Sequence, residues 1–256
     1  MMRIMAACVG FMAVLACRGE GTGPGAVDDC TGDAGGPMRI LFIGNSLTYT
    51  NALPYMLRAL ADSAGEAPPL VDDVTLPDYG LEQHWQDGRA AQAIASACWD
   101  VVVLQQGPSS LPESRALLVD YTRRFAGEIR AAGARPALYA VWPSRSRSGD
   151  FDRASESYRL AADDVDGILL PAGEAWRAAW RADPGLPLYA ADGLHPSVAG
   201  TYAAALVIYA RLLDRSPVGS PSTLTLRGGA VVRIDPAVAE VLQRAAEAAI
   251  AGDGGD

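Results

Sequence analysis

The chain has 256 residues, half of them hydrophobic and a fifth charged, which excludes a disordered or fibrous protein and suits one α/β domain of ordinary size. Its formal charge of −9 argues against a nucleic-acid partner, because phosphate binding needs a clustered basic surface. Apart from the two histidines every basic residue is arginine, which reads as compositional bias rather than function.

In chain order, the first unit is a leader. Arg3 supplies a short positive region, and Ile4 to Ala16 is an apolar stretch of signal-peptide length, too short for a comfortable membrane span. It ends in Val14-Leu15-Ala16-Cys17, which resembles a bacterial lipobox, although a smaller residue is more usual at the position of Leu15. The resemblance implies a lipoprotein signal over residues 1–16 and lipidation of Cys17. The alternative is an ordinary cleaved signal peptide with a coincidental cysteine. Residues 17–37 are rich in Gly, Asp, Thr and Pro; they cannot bury enough apolar surface to order themselves and read as a tether. Together these features predict export to a bacterial cell envelope, with the domain held near a membrane. Cys30 and Cys98 remain in the mature body; export permits a disulfide, and a bridge and two unpaired thiols stay equally open.

From Met38 to about residue 251 short apolar runs alternate with longer amphipathic stretches. Arg39–Ile43 is a strand candidate, followed by a helix over Asn51–Ala64, a weaker strand at Leu70–Leu76 and a helix over Leu81–Ala97. Val101–Leu104 is a continuous buried-strand run. A helix over Glu113–Ala132 closes at Gly133. Strands at Ala137–Val141 and Gly167–Leu170 alternate with helices at Asp150–Asp163 and Ala172–Ala182. Pro196 opens a helix over Ser197–Leu213, residues 216–232 are irregular or a small hairpin, and Asp235 caps a last helix over Pro236–Ile250. Such alternation predicts a three-layer α/β/α sandwich on a parallel sheet of about five strands, with ligands beyond the carboxyl ends of the strands.

At those ends stand Gly44-Asn45-Ser46, Gln105-Gln106-Gly107 and Asp192-Gly193-Leu194-His195. A serine hydroxyl is a weak nucleophile until a base takes its proton, and a histidine is the usual base. An aspartate three residues upstream can hold the other imidazole N–H and set the tautomer. Ser46 lacks the Gly-x-Ser-x-Gly elbow of α/β-hydrolases, since Thr48 stands at the second glycine.

The joint pattern resembles the SGNH (GDSL-like) hydrolases over Met38 to Leu213, in a GNS variant similar to carbohydrate acetylesterases. The resemblance implies a flavodoxin-like fold and hydrolysis of a carboxylic ester through an acyl-enzyme, with Ser46, His195 and Asp192 as the triad. It implies oxyanion donors at the Ser46 N–H and at Gly80, and a third from an asparagine that this chain lacks. Gln105 or Gln106 substitutes, with Gln106 favoured, and Ser109 is a further candidate. The substrate expected is a small molecule or polysaccharide carrying a short acyl ester such as O-acetyl. A lipid or lysophospholipid esterase using the same triad, and a non-catalytic binding protein on the same scaffold, are the alternatives.

Other readings stay paired. Ser46 is otherwise a helix N-cap. Asn45 makes an Asx turn and touches the Ser46 loop. His84 either lines the cleft or is partly buried on a helix face. Trp85 and Trp142 either stack on sugar or pack. Arg145 and Arg147 either attract an anionic substrate or form a solvated loop. No cofactor is expected and no metal, because two histidines and no ligand-spaced cluster make no site.

Overall fold

Strand β1 (Arg39–Gly44) carries four consecutive fully buried apolar residues, Ile40 to Ile43. A strand apolar on both faces must be covered on both faces. The computed structural model describes residues 36–253 and places β1 inside a five-stranded sheet. The other strands are β2 (Leu70–Thr75), β3 (Val101–Leu104), β4 (Arg135–Tyr139) and β5 (Ile168–Leu170). Their order is β2-β1-β3-β4-β5, and every neighbouring pair is parallel. Parallel neighbours need crossovers, which the helices supply. The leader, the tether and Cys17 and Cys30 lie outside the described residues; Cys98 is disulfide-bonded.

The chain leaves β1 first toward β2 and then returns to β3 on the other side. The crevice between β1 and β3 is therefore the switch point at which such sheets bind ligands. Ile43 is in register with Leu104, so the loops after the two strands emerge side by side.

Helices α1 (Ser46–Tyr49) and α2 (Leu53–Ser63) follow β1, α3 (Leu81–Asp87) and α4 (Arg89–Ala95) follow β2, and α5 (Pro112–Ala131) follows β3. They are succeeded by α6 (Phe151–Asp164), α7 (Ala172–Ala182), α8 (Val198–Leu213) and α9 (Pro236–Asp253). One layer joins α2, α7, α8 and α9; the other joins α3, α4, α5 and α6. Helix α8 is buried along nearly its whole length, from Gly200 through Tyr209, as an all-round apolar helix must be.

The sequence expectations differ most from the structure in two places. The helix expected over Leu81–Ala97 is broken at Gly88, whose φ of +81° ends α3 in a left-handed cap. The strand expected at Ala137–Val141 lies two residues earlier, because pairing Val101 with Arg135 sets its register. Of the two readings of residues 216–232 the hairpin is the one formed: Thr223–Thr225 and Val231–Arg233 pair antiparallel as β6 and β7. Among the described residues no helix is long and apolar enough to cross a membrane.

Candidate active site

Ser46 begins α1 immediately after β1. The N-cap is Asn45, whose Oδ1 accepts the Leu47 N–H at 3.0 Å. The Ser46 hydroxyl is thereby released from capping and faces His195 Nε2 at 2.9 Å. On the far side of the ring, His195 Nδ1 lies 2.6 Å from Asp192 Oδ2. Asp192 Oδ1 accepts the Leu194 and His195 backbone N–H groups at 2.9 and 3.0 Å, so one carboxylate shapes the turn and orients the ring.

The hydrogen bond from His195, reinforced by those two backbone N–H groups, holds the Asp192 carboxyl at a pKa of about 2. An ionised carboxylate only accepts, so the proton belongs on His195 Nδ1 and leaves Nε2 free to receive one from Ser46.

The loop that carries this pair is tied down on several sides. Ala190 N–H donates to His195 O at 2.8 Å, and the Trp142 indole N–H donates to Leu194 O at 3.1 Å. Gly193 O accepts the Arg145 N–H at 2.7 Å. Asn51 Nδ2 donates to Pro196 O at 3.0 Å and to Thr201 Oγ1 at 2.9 Å. Asn51 sits at φ +55°, a conformation asparagine tolerates better than most residues. It joins the chain just after the serine to the chain just after the histidine. Sequence reasoning missed it, because a lone Asn before a helix carries no long-range signal.

The serine turn is braced by Gln105, which is fully buried. Its Oε1 accepts the Asn45 N–H at 2.9 Å and the Thr48 hydroxyl at 2.8 Å. Its Nε2 donates to Asn45 Oδ1 at 3.0 Å and to Gln106 O. A Cβ on Gly44 would lie 2.5 Å from both Gln105 Oε1 and Thr48 Oγ1, which is why glycine ends β1. Asn45 Nδ2 also donates to Tyr79 O at 2.9 Å, drawing the Tyr79–Gly80 loop against the serine turn.

Gln106 is equally committed. Its Oε1 accepts the Leu81 N–H at 3.2 Å, and its Nε2 donates to Ser109 Oγ at 2.7 Å and Ser114 O at 3.1 Å. The Ser109 hydroxyl donates to Gly107 O at 3.0 Å. A side-chain amide has two hydrogens and a hydroxyl one, so Gln105, Gln106 and Ser109 have none left for a substrate oxygen. The three side chains expected to replace the missing asparagine reach back into the scaffold in this structure. Tyr158, also missed from sequence, completes this bracing. Its buried hydroxyl accepts the Gln106 N–H at 3.1 Å and donates to Gln106 O at 2.7 Å, and burial pushes its phenol well above the ordinary range.

Of the two backbone donors expected by the serine, one is free and one is occupied. The Ser46 N–H meets no protein acceptor among the described residues, and the Gly80 N–H donates to Gln83 Oε1 at 2.9 Å. A cleft of about 350 Å³ adjoins Gly80, with Gln83, Gln106, Ser109, Leu111 and Leu194 also among its walls.

His84 does not line that cleft. It is fully buried, and its Nε2 donates to Gly44 O at 2.8 Å, leaving Nδ1 without a partner. Burial holds its pKa below the ordinary 6.5, with the bond to Gly44 opposing. Trp142 is likewise buried, stacked on Trp176 at 3.6 Å between ring centroids, and so is no sugar platform; Trp85 is half-buried and packs edge-on against Phe125. Arg145 lies over the Tyr189 ring, and Arg147 pairs with the buried Asp150 at 2.5 Å. Among the described residues no three His, Cys, Asp or Glu side chains gather to hold a metal ion.

No protein-family model matches the sequence, and no curated protein matches it. Solved structures do. A protein described as an SGNH hydrolase from Slackia heliotrinireducens is 32% identical, with 69% of this chain and 99% of that one aligned at a TM-score of 0.59. A DUF4886 family protein from Bacteroides uniformis aligns over 84% of this chain and 95% of its own at 20% identity and a TM-score of 0.67. A catalytic mutant of an acetylxylan esterase from Geobacillus stearothermophilus aligns over 70% and 94% at 14% identity and a TM-score of 0.50. The last two likenesses concern the fold. The first carries the family as well, and with it this chain belongs to the SGNH hydrolases.

Proposed function

We propose that the chain is an exported serine esterase that removes short acyl groups, such as O-acetyl on a carbohydrate, through an acyl-enzyme on Ser46. The observation that carries this reading is the unbroken line from Ser46 Oγ through the two nitrogens of His195 to Asp192 Oδ2, with separations of 2.9 and 2.6 Å. In this reading Ser46 Oγ attacks the ester carbonyl as its proton passes to His195 Nε2. The imidazolium that forms is stabilised by the Asp192 carboxylate and then protonates the leaving alkoxide. Water, deprotonated by the same nitrogen, cleaves the acyl-enzyme.

The Ser46 and Gly80 N–H groups are the oxyanion donors, each supplying roughly 10²–10³ in rate if its kind of hydrogen bond follows other acyl-transfer sites. Asn45, Gln105 and Gln106 hold these donors in place rather than donating themselves.

The short-acyl reading draws support from the fold shared with the acetylxylan esterase. The reading of export and of membrane tethering through a lipidated Cys17 draws on residues 1–17 alone. Reaction with a fluorophosphonate, followed by mass analysis of the modified peptide, tests the nucleophile; labelling elsewhere than Ser46, or none, refutes it. Hydrolysis of p-nitrophenyl esters of increasing chain length, alongside acetylated xylan, tests the substrate class. A clear preference for long chains overturns it in favour of a lipid esterase.

A further inference from the structure

We infer that Gln83 is a positioning residue that gates the oxyanion site, its side-chain carbonyl holding the Gly80 N–H until an ester carbonyl displaces it. The inference rests on the reading of Gly80 as an oxyanion donor. Gln83 Oε1 accepts the Gly80 N–H at 2.9 Å, and its Nε2 faces Glu82 Oε2 at 3.5 Å. The orientation of the amide is unambiguous, because a backbone N–H needs an acceptor and a carboxylate needs a donor. One N–H carries one hydrogen. The ester oxygen therefore takes it only when Gln83 lets go.

Two glutamine carbonyls reach this loop, and they differ in mobility. Gln106 is buried, with its amide bonded to Leu81, Ser109 and Ser114. Gln83 is exposed and stands in the cleft wall, so water replaces its bond cheaply when it swings out. A Cβ on residue 80 would lie 3.0 Å from Gln83 Oε1, which shows how closely the amide covers this backbone. The amide oxygen is an internal stand-in for the substrate carbonyl. Capped and open states compete, and the apparent rate falls by the fraction capped. An exposed neutral hydrogen bond is weak, so the fraction amounts to roughly threefold to tenfold in rate.

The test uses the purified full chain and two readouts: kcat/KM for p-nitrophenyl acetate, and the second-order rate of Ser46 phosphonylation by a fluorophosphonate. Gln83→Met keeps side-chain length and helix propensity but removes the acceptor. It is expected to raise both rates about threefold or more, even as loss of the cap lowers Tm slightly. Gln83→Glu places a charged acceptor on the same N–H. It is expected to lower both rates at pH 8, where the carboxylate is ionised. A residue that served only to cap α3 would lower Tm without raising either rate. Labelling of both wild type and Gln83→Met with no gain in the variant overturns the gate alone. No labelling of Ser46 in either protein overturns the hydrolase reading and the gate with it.

Discussion

Asn45 and Gln105, 60 residues apart, hold each other by paired hydrogen bonds: the Asn45 N–H donates to Gln105 Oε1 at 2.9 Å, and Gln105 Nε2 returns a bond to Asn45 Oδ1 at 3.0 Å. The pairing welds the turn after β1 to the loop after β3. It also leaves Asn45 Oδ1 positioned to cap α1, and so frees the Ser46 hydroxyl for His195.

Breaking that weld is expected to cost both stability and rate. Gln105→Leu strands the buried Asn45 N–H and Thr48 hydroxyl without acceptors. The penalty for orphaned buried groups predicts a loss of about 2–4 kcal/mol in urea unfolding, together with at least a tenfold fall in kcat, since the serine turn loses its support. An unchanged unfolding midpoint would contradict the bracing role.

The catalytic line makes a sharper demand. Ser46→Ala is expected to reduce ester hydrolysis by about 10⁴-fold or more while leaving the circular dichroism spectrum unchanged. Asp192→Asn keeps an oxygen for the Leu194 and His195 N–H groups but turns an N–H toward His195 Nδ1. That forces the proton onto Nε2, where it blocks transfer from Ser46. A fall of about 10²–10⁴ in kcat with the loop intact is expected, and kinetics on the folded variant check it. Because the Asp192 carboxyl is held at a pKa of about 2, its own titration does not shape the rate above that pH.

Asn51 offers a test of the tie between the two halves of the site. Asn51→Gly keeps the φ of +55° at no steric cost and removes only the bonds to Pro196 and Thr201. A loss of about 1–2 kcal/mol in thermal stability and a measurable drop in kcat are expected. Asn51→Ala adds the strain of a left-handed alanine, roughly 1 kcal/mol more. Equal stability of the glycine and alanine variants would argue against that strain.

His84 sets a pH dependence of folding. Burial places its folded pKa below the ordinary 6.5, so below about pH 6.5 the unfolded chain binds a proton that the folded chain refuses. Stability is therefore expected to fall as pH drops below 6.5, until the folded histidine itself titrates. In Gln at position 84 the amide can still donate to Gly44 O but does not titrate. Urea unfolding of wild type and His84→Gln from pH 7.5 to 5 checks the sign: the variant loses less stability on acidification than the wild type.

The fold itself was legible in the sequence for a simple physical reason. The β-branched run Val101–Leu104 and the apolar run Ile40–Ile43 are buried on both faces, and such runs betray themselves locally, as do amphipathic helices. Boundaries were less legible where one residue overrides a pattern, as Gly88 does between α3 and α4.

Within the site, sequence alone singled out Ser46, Asp192 and His195. Asp192 and His195 share one turn, so their relation is local, and with only two histidines in the chain the choice of base is narrow. Which glutamine does what was decided only by the tertiary structure. Gln105 spends one hydrogen on Asn45, brought near by the β1–β3 register, Gln106 and Ser109 spend theirs within the folded loop after β3, and His84 is turned beneath Gly44 rather than into the cleft. A side chain's identity states what it can donate, but only the assembled neighbours determine what it has left to give.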